Sequence, residues 1–157
     1  MLIKDIVETD MINYKNISMF IIFPFCSFKC DKECGMQVCQ NSALALSPNI
    51  KIDELQIINK YLSNPLTNAI VFGGLEPFDS WEDLSYLITY FRYYTDDDIV
   101  IYTGYNPDEI KEQINTLKHY KNIIIKFGRF IPNQPHHYDE ILGVELSSPN
   151  QYAKRIS

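Results

Sequence analysis

Short hydrophobic runs separated by amphipathic segments make up most of this chain. The runs at residues 19–23, 69–72, 99–102 and 123–125 are continuous and rich in β-branched residues. Continuous rather than alternating hydrophobicity is typical of strands that are covered on both faces of a parallel sheet. The pattern therefore predicts a buried strand at each of these runs.

Between the runs, hydrophobic residues recur at the spacing of an amphipathic helix. They are Leu55, Ile58 and Leu62, then Trp81, Leu84, Ile88 and Phe91, then Ile110, Ile114 and Leu117. The alternation of strand and helix predicts βαβ units and an α/β fold, as an open layer or a partial barrel. The length predicts a single domain over residues 1–157, whose polar, less regular segment from about residue 130 packs over one end.

Composition and charge narrow the classes of function. Hydrophobic residues make up 46% and charged residues 22% of the chain, which is typical of a globular protein. The net charge of −6 argues against a nucleic-acid-binding protein, because contact with phosphates requires a basic surface. The apolar stretch 19–25 is too short to span a bilayer and resembles no signal peptide, so we expect a cytoplasmic protein without a membrane partner.

All four cysteines lie in one loop directly after the first predicted strand. Cys26, Cys30, Cys34 and Cys39 have the spacing C-x3-C-x3-C-x4-C. In a reducing compartment such clustering indicates metal binding more than disulfides. The carboxyl ends of parallel strands are also where α/β proteins bind ligands. From the loop alone three interpretations stay open: an iron–sulfur cluster, a tetrahedral zinc site, or reduced thiols that only pack.

A second motif, Gly73-Gly74-Leu75-Glu76-Pro77, ends the second predicted strand. Paired glycines let a ligand approach the backbone, and the carboxylate that follows can face an ammonium group. A tight strand-to-helix turn is the alternative explanation. Because successive parallel strands end at one edge of a sheet, we expect this motif to lie beside the cysteine loop.

Together the two motifs resemble those of the radical S-adenosylmethionine superfamily, whose usual cysteine motif is C-x3-C-x2-C. Cys26 and Cys30 match the first pair. Cys39 matches the third position, because Val38 supplies the preceding hydrophobic residue and Asn41 the Cys-x-Asn ending. The spacing then becomes C-x3-C-x8-C. The resemblance implies a partial, open parallel β/α barrel.

The resemblance also implies a chemistry. Three ligands, Cys26, Cys30 and Cys39, would leave one iron of a 4Fe-4S cluster open, with Cys34 as the spare cysteine. In the superfamily that iron chelates the amino and carboxylate groups of S-adenosylmethionine, whose reductive cleavage releases a 5′-deoxyadenosyl radical. We therefore expect an enzyme, an oxidoreductase with both a 4Fe-4S cluster and S-adenosylmethionine as cofactors.

The short chain is similar to the activating protein of the anaerobic (class III) ribonucleotide reductase. The further matching motifs are Asn-Tyr at 13–14, Ile-Tyr-Thr-Gly-Tyr at 101–105, Gly-Arg-Phe at 128–130 and Ser-Pro-Asn-Gln at 148–151. Phe127 departs from the family, which commonly has an aspartate there. By this resemblance the protein forms a glycyl radical on the reductase subunit and receives its electron from a donor such as flavodoxin or ferredoxin.

The same resemblance assigns residues to the cofactor. The expected set is Val38, Asn41, Gly73, Gly74, Glu76, Pro77, Thr103 and Tyr105. Gly73 and Gly74 would contact the methionine portion, Glu76 would shape that pocket, and Val38 would touch the adenine. Two alternatives stay open: a small radical S-adenosylmethionine enzyme with another substrate, and a non-catalytic zinc- or iron–sulfur-binding module that docks onto a partner.

Overall fold

A central mixed sheet organises the protein in a computed structural model that describes all of residues 1–157. The strands are β1 (Leu2–Ile3), β2 (Asp5–Asp10), β3 (Ser18–Phe23), β4 (Ile50–Lys51), β5 (Ala69–Gly74), β6 (Asp98–Tyr102), β7 (Ile123–Phe127), β8 (His137–Asp139), β9 (Val144–Leu146) and β10 (Tyr152–Arg155). The helices are α1 (Lys29–Cys34), α2 (Ser42–Leu46), α3 (Glu54–Ser63), α4 (Trp81–Tyr94) and α5 (Lys111–Leu117), with 3₁₀ turns at Pro77–Ser80 and Pro107–Glu109.

The main sheet has six strands in the order β10-β7-β6-β5-β3-β2. Its four central strands, β3, β5, β6 and β7, are parallel neighbours and correspond to the predicted hydrophobic runs. β2 and β10 close the two edges in antiparallel pairing. The prediction of an α/β fold with a mostly parallel sheet is therefore confirmed. The antiparallel edge strands were missed because their sequences are mostly polar, as expected for strands with an exposed side.

Burial explains the continuous hydrophobicity of the central strands. In β5, Ile70 and Phe72 point into the larger core cluster with the helices, whereas Val71 belongs to a smaller cluster on the opposite face. Phe72 packs against Phe91 of α4 on the helical side, with ring centroids 6.1 Å apart. Leu142, in the turn between β8 and β9, helps to cover the other face. Both faces of the sheet are thus covered by protein.

The helices agree with the predicted faces only in part. In α4 the residues Leu84, Ile88 and Phe91 are fully buried, as predicted. In α3 Ile58 is buried as predicted, but the prediction was wrong for Leu55 and Leu62, which are each about half exposed; Ile57 and Tyr61 face the core with Ile58. Helical spacing is equally compatible with a buried face that contains Ile57 and Tyr61. The way in which the helix packs against the sheet decides which of the two faces is buried.

The segment from about residue 130 is more regular than its sequence indicates. β8 and β9 form a hairpin, and β10 pairs over its whole length with residues 124–127 of β7. These strands are short and carry few hydrophobic residues, so their pairing is set by the partner strand rather than by their own periodicity. None of the helices is long and apolar enough to cross a membrane.

Candidate metal centre

A cleft of about 460 Å³ opens at the carboxyl ends of the parallel strands, and three of the four cysteines line it. These are Cys26, Cys30 and Cys39, each of them partly buried. Cys34 lies one helical turn beyond Cys30 in α1, is exposed and does not line the cleft. The fold therefore separates the four cysteines into a group of three and one outlier.

The local backbone of the cysteine loop produces this separation. Phe28, in the left-handed conformation (φ 53°), immediately precedes the short helix α1, and Gly35, also left-handed (φ 68°), immediately follows it. Left-handed geometry at Gly35 carries little steric cost, so the chain can reverse there. The reversal turns the following segment back and brings Cys39 to the cleft beside Cys30.

Two carboxylates fasten the loop through its backbone. The Oδ1 atom of Asp31 accepts hydrogen bonds from the backbone N–H groups of Val38 and Cys39, both at 2.8 Å. The Oδ2 atom of Asp79 accepts from the N–H of Ser27 at 2.6 Å, next to Cys26. Each end of the cysteine loop is thus tied down beside a cysteine that faces the cleft.

A third carboxylate connects α1 to the sheet through a buried arginine. Arg129 follows the end of β7 and is only 5% exposed. It donates hydrogen bonds to Glu33 of α1 at 2.9 Å and to Glu109 at 2.6 Å, and also contacts the carbonyl of Gly104. The bond from Arg129 lowers the pKa of Glu109 to about 2. Arg129 therefore holds α1 against the mouth of the cleft.

The environment of the three thiols suits metal ligation. The backbone N–H of Phe28 donates to Cys26 Sγ at 3.3 Å, and that of Asn41 donates to Cys39 Sγ at 3.4 Å. Burial raises the pKa of Cys26 to about 12 and also raises the pKa of Cys30, against a backbone hydrogen bond from Phe130. A buried thiol releases its proton when a cation takes its place, and N–H donors then stabilise the sulfur's negative charge.

A cluster and a single ion make different demands on the thiols of the cleft. No three His, Cys, Asp or Glu side chains of the chain converge closely enough to hold one metal ion. A cubane of four irons and four sulfides spreads its thiolate ligands farther apart than a tetrahedral zinc ion does. Cys26, Cys30 and Cys39 line one cleft, and a cluster held by these three would have one iron without a cysteine. Cys26, Cys30 and Cys39 are thus the residues that would hold such a cluster.

The glycine motif lies directly beside these cysteines, as expected from the strand order. Gly74 lines the cleft with a left-handed backbone (φ 85°), and a Cβ atom there would come within 2.3 Å of Ile22 Cγ2. Gly73 lies beneath, where a Cβ would meet the Phe20 ring at 2.9 Å. Asn41 donates its side-chain amide to the carbonyl of Gly74 at 2.6 Å, which joins the cysteine loop to this strand end.

Glu76 is buried at the base of the cleft and fully engaged. It accepts hydrogen bonds from Thr103 Oγ1 at 2.8 Å, from the N–H of Gly104 at 2.9 Å and from the N–H of Phe78 at 3.2 Å. Burial nevertheless raises the pKa of Glu76 to about 7. Through these bonds Glu76 links the ends of β5 and β6 at the position where Gly104 approaches Cys30.

The remaining residues of the predicted set divide between the cleft and its supports. Asn41, Gly74, Glu76 and Thr103 line the cleft. Val38, Gly73, Pro77 and Tyr105 do not line it. The Tyr105 hydroxyl donates to Asp79 at 2.5 Å, so this residue supports the loop from outside.

Three important residues were missed by sequence reasoning. Asp31 and Asp79 act through backbone contacts that depend on the folded loop, and no local pattern distinguishes them from surface acids. Lys126 lines the cleft and is only 7% exposed. Its position offered a usable signal, because it is the one charged residue in an otherwise hydrophobic buried strand.

Comparison with known proteins identifies a family on the same segment. A family model described as a 4Fe-4S single cluster domain matches residues 16–151, which includes the four central strands, the cysteine loop and the glycine motif. Neither the curated proteins nor the solved structures contain a significant match to the chain.

Proposed function

The chain belongs to the family of 4Fe-4S single cluster domains, and on that premise we propose that it is a radical S-adenosylmethionine enzyme. Its substrate in this proposal is anaerobic ribonucleoside-triphosphate reductase, on which it forms a glycyl radical. The observation that carries the proposal is the separation of three cleft-facing cysteines from an exposed fourth. Ligation by four cysteines serves electron transfer, whereas ligation by three leaves a coordination site for a substrate or cofactor.

The surroundings of the three cysteines support a cofactor site next to them. Gly74, Glu76 and Thr103 line the cleft with Cys26 and Cys30. When bound, a three-cysteine cluster would supply an electron to S-adenosylmethionine chelated at its open iron. In this proposal the chain itself holds the methionyl end of S-adenosylmethionine. Gly74 lets that end approach the backbone closely, and the side-chain amide of Asn41 fixes the carbonyl of Gly74.

The four parallel strands support the proposed fold relationship as well. In this proposal they are part of a partial parallel β/α barrel that stays open because the antiparallel strands β2 and β10 form its two edges. In this proposal the openness serves the reaction, because a loop of another protein has to reach the cleft.

Exposed hydrophobic residues near the cleft support a macromolecular substrate. Met11 and Ile12 precede β3 and are 72% and 78% exposed, and Ile12 lines the cleft. Met36, in the cysteine loop, and Leu46, at the end of α2, are 65% and 90% exposed. Exposed apolar side chains that form a patch mark a partner-binding surface, and in this proposal the reductase covers these residues. The electron donor, such as flavodoxin or ferredoxin, would bind in addition to this partner.

The proposal is tested with anaerobically reconstituted protein, a chemical reductant and S-adenosylmethionine. We expect 5′-deoxyadenosine and methionine as products, and a glycyl radical detected by electron paramagnetic resonance when the reductase subunit is added. Cleavage without a radical on the reductase would favour another substrate. Absence of cleavage by cluster-loaded protein would leave a non-catalytic partner-binding module and would refute the enzyme.

A further inference from the structure

Lys126 places a positive charge at the floor of the cleft. It is the fourth residue of β7, and its register partner in β6 is Tyr102. Its ammonium group lies 5.9 Å from the centroid of the Tyr102 ring, and both residues line the cleft. The residue is only 7% exposed, so the charge is largely removed from water.

The ammonium group of Lys126 has few partners in this position. Its hydrogen bond goes to the carbonyl of Gly128 at 3.3 Å, and it belongs to none of the chain's ion pairs. The nearby carboxylate of Glu76 is occupied by three other donors. The remaining donor capacity of Lys126 is therefore unused.

An unpaired buried cation is costly, and a bound anion would offset part of that cost. Burial lowers the pKa of Lys126 to about 8, while the charges of Glu76 and Cys30 oppose this change. Lys126 lines the same cleft as Cys26, Cys30 and Cys39.

We infer that Lys126 binds the α-carboxylate of S-adenosylmethionine and thereby positions the methionyl end of the cofactor beside the three cysteines. This inference rests on the proposed function. A carboxylate is the anionic group of that molecule, and it would meet an ammonium donor that no protein carboxylate occupies. The other buried cation at this end of β7, Arg129, is already paired with Glu33 and Glu109, whereas Lys126 is not paired.

The test compares two ligands that differ only in this carboxylate. Affinities of S-adenosylmethionine and of its decarboxylated analogue are measured by anaerobic equilibrium dialysis on cluster-loaded protein, for the wild type and for Lys126→Met. Because a hydrogen-bonded charge pair in a sheltered site typically changes affinity by about 10- to 100-fold, the variant should lose that much for S-adenosylmethionine. The affinities of the decarboxylated analogue for the wild type and for Lys126→Met should differ by no more than about twofold, because the analogue lacks the carboxylate that Lys126 would bind.

Controls separate this role from folding and from the cluster. Lys154→Met removes an exposed lysine of β10 outside the cleft and should match the wild type. Lys126→Gln serves as a second variant if the methionine variant does not load the cluster, and should show the same selective loss. Iron and sulfide content and the reduction potential of the cluster are measured in every protein.

The outcomes distinguish the two proposals. Wild-type protein that binds S-adenosylmethionine while Lys126 variants bind it equally well would overturn the inference alone. If the Lys126 variants bind both ligands equally less tightly, or shift the reduction potential without discriminating between the ligands, the Lys126 charge acts on the cluster and not on the ligand. Either result would also overturn the inference. Failure of the cluster-loaded wild type to bind S-adenosylmethionine would overturn the proposed function and the inference with it.

Discussion

Asp31→Ala is expected to weaken cluster binding without unfolding the protein. Asp31 lies between Cys30 and Cys34, and its single oxygen Oδ1 holds the N–H groups of Val38 and Cys39, both at 2.8 Å. These bonds close the segment that returns Cys39 to the cleft. Without them the segment gains alternative conformations, and only a fraction of the molecules presents Cys39 together with Cys26 and Cys30.

The magnitude follows from the two hydrogen bonds. Bonds to a charged acceptor contribute about 1.5–3 kcal/mol each, and sharing one partly exposed oxygen reduces the sum to roughly 2–3 kcal/mol. That energy corresponds to a roughly 30- to 150-fold loss of affinity for the cluster, at about 1.4 kcal/mol for each factor of ten. Neither α1 nor α2 contributes a buried residue. The free energy of unfolding of the apo protein should therefore change by less than about 1 kcal/mol.

The assay is the rate of iron release to a chelator from anaerobically reconstituted protein, with denaturant unfolding of the apo form alongside. Lys32→Ala is the matched control, because Lys32 belongs to the same helix and its side chain is exposed. Asp31→Asn keeps an uncharged acceptor and should fall between the wild type and Asp31→Ala. Iron release from Asp31→Ala at the wild-type rate would refute the reasoning that Asp31 positions Cys39.

Two further predictions concern the base of the cleft. Gly74→Ala should lower the free energy of unfolding by more than about 2 kcal/mol, because left-handed geometry alone costs about 1–2 kcal/mol and the new Cβ would lie 2.3 Å from Ile22 Cγ2. Gly35 is also left-handed, but a Cβ atom there would have no atom within 4 Å, so Gly35→Ala should lower the free energy of unfolding by only about 1–2 kcal/mol. Both variants are measured by denaturant titration, and an equal loss for the two would contradict the steric explanation. Because the pKa of Glu76 is raised from 4.5 to about 7 in the folded protein, the folded state binds a proton that the unfolded state has already released across that range. The contribution of Glu76 to the unfolding free energy of the apo protein should therefore be greatest below pH 4.5 and be lost as the pH rises to about 7, a difference of about 3 kcal/mol. Glu76→Gln should abolish this pH-dependent difference. Parallel curves of unfolding free energy against pH for the wild type and Glu76→Gln would exclude this role.

The parallel core could be predicted from the sequence because each central strand is buried on both faces and therefore carries its own signal. Ile123 to Ile125 form such a run, and the strand they belong to lies inside the sheet. The edge strands lack this signal: β2 has one buried residue, Asp10, and is fixed by pairing with β3. Long-range pairing of this kind is absent from any local window of sequence.

The site divides in the same way. The three cysteines and the glycine motif could be found because their residue types and spacing are unusual, and the strand order then places them together. Asp31, Asp79 and Arg129 act through contacts with backbone groups or with residues far away in the chain, such as the pair of Arg129 with Glu33. Their roles appear only once the loop conformation is known.

Substitution of the four cysteines one at a time tests the central claim most directly. Each alanine variant is reconstituted anaerobically, and its iron, acid-labile sulfide and visible absorption are compared with those of the wild type. The three cysteines that line the cleft are each expected to be required, so Cys26→Ala, Cys30→Ala and Cys39→Ala should lose the 4Fe-4S cluster. Cys34→Ala should keep it, because Cys34 is exposed and lies outside the cleft. Loss of the cluster in Cys34→Ala with retention in Cys39→Ala would contradict the account.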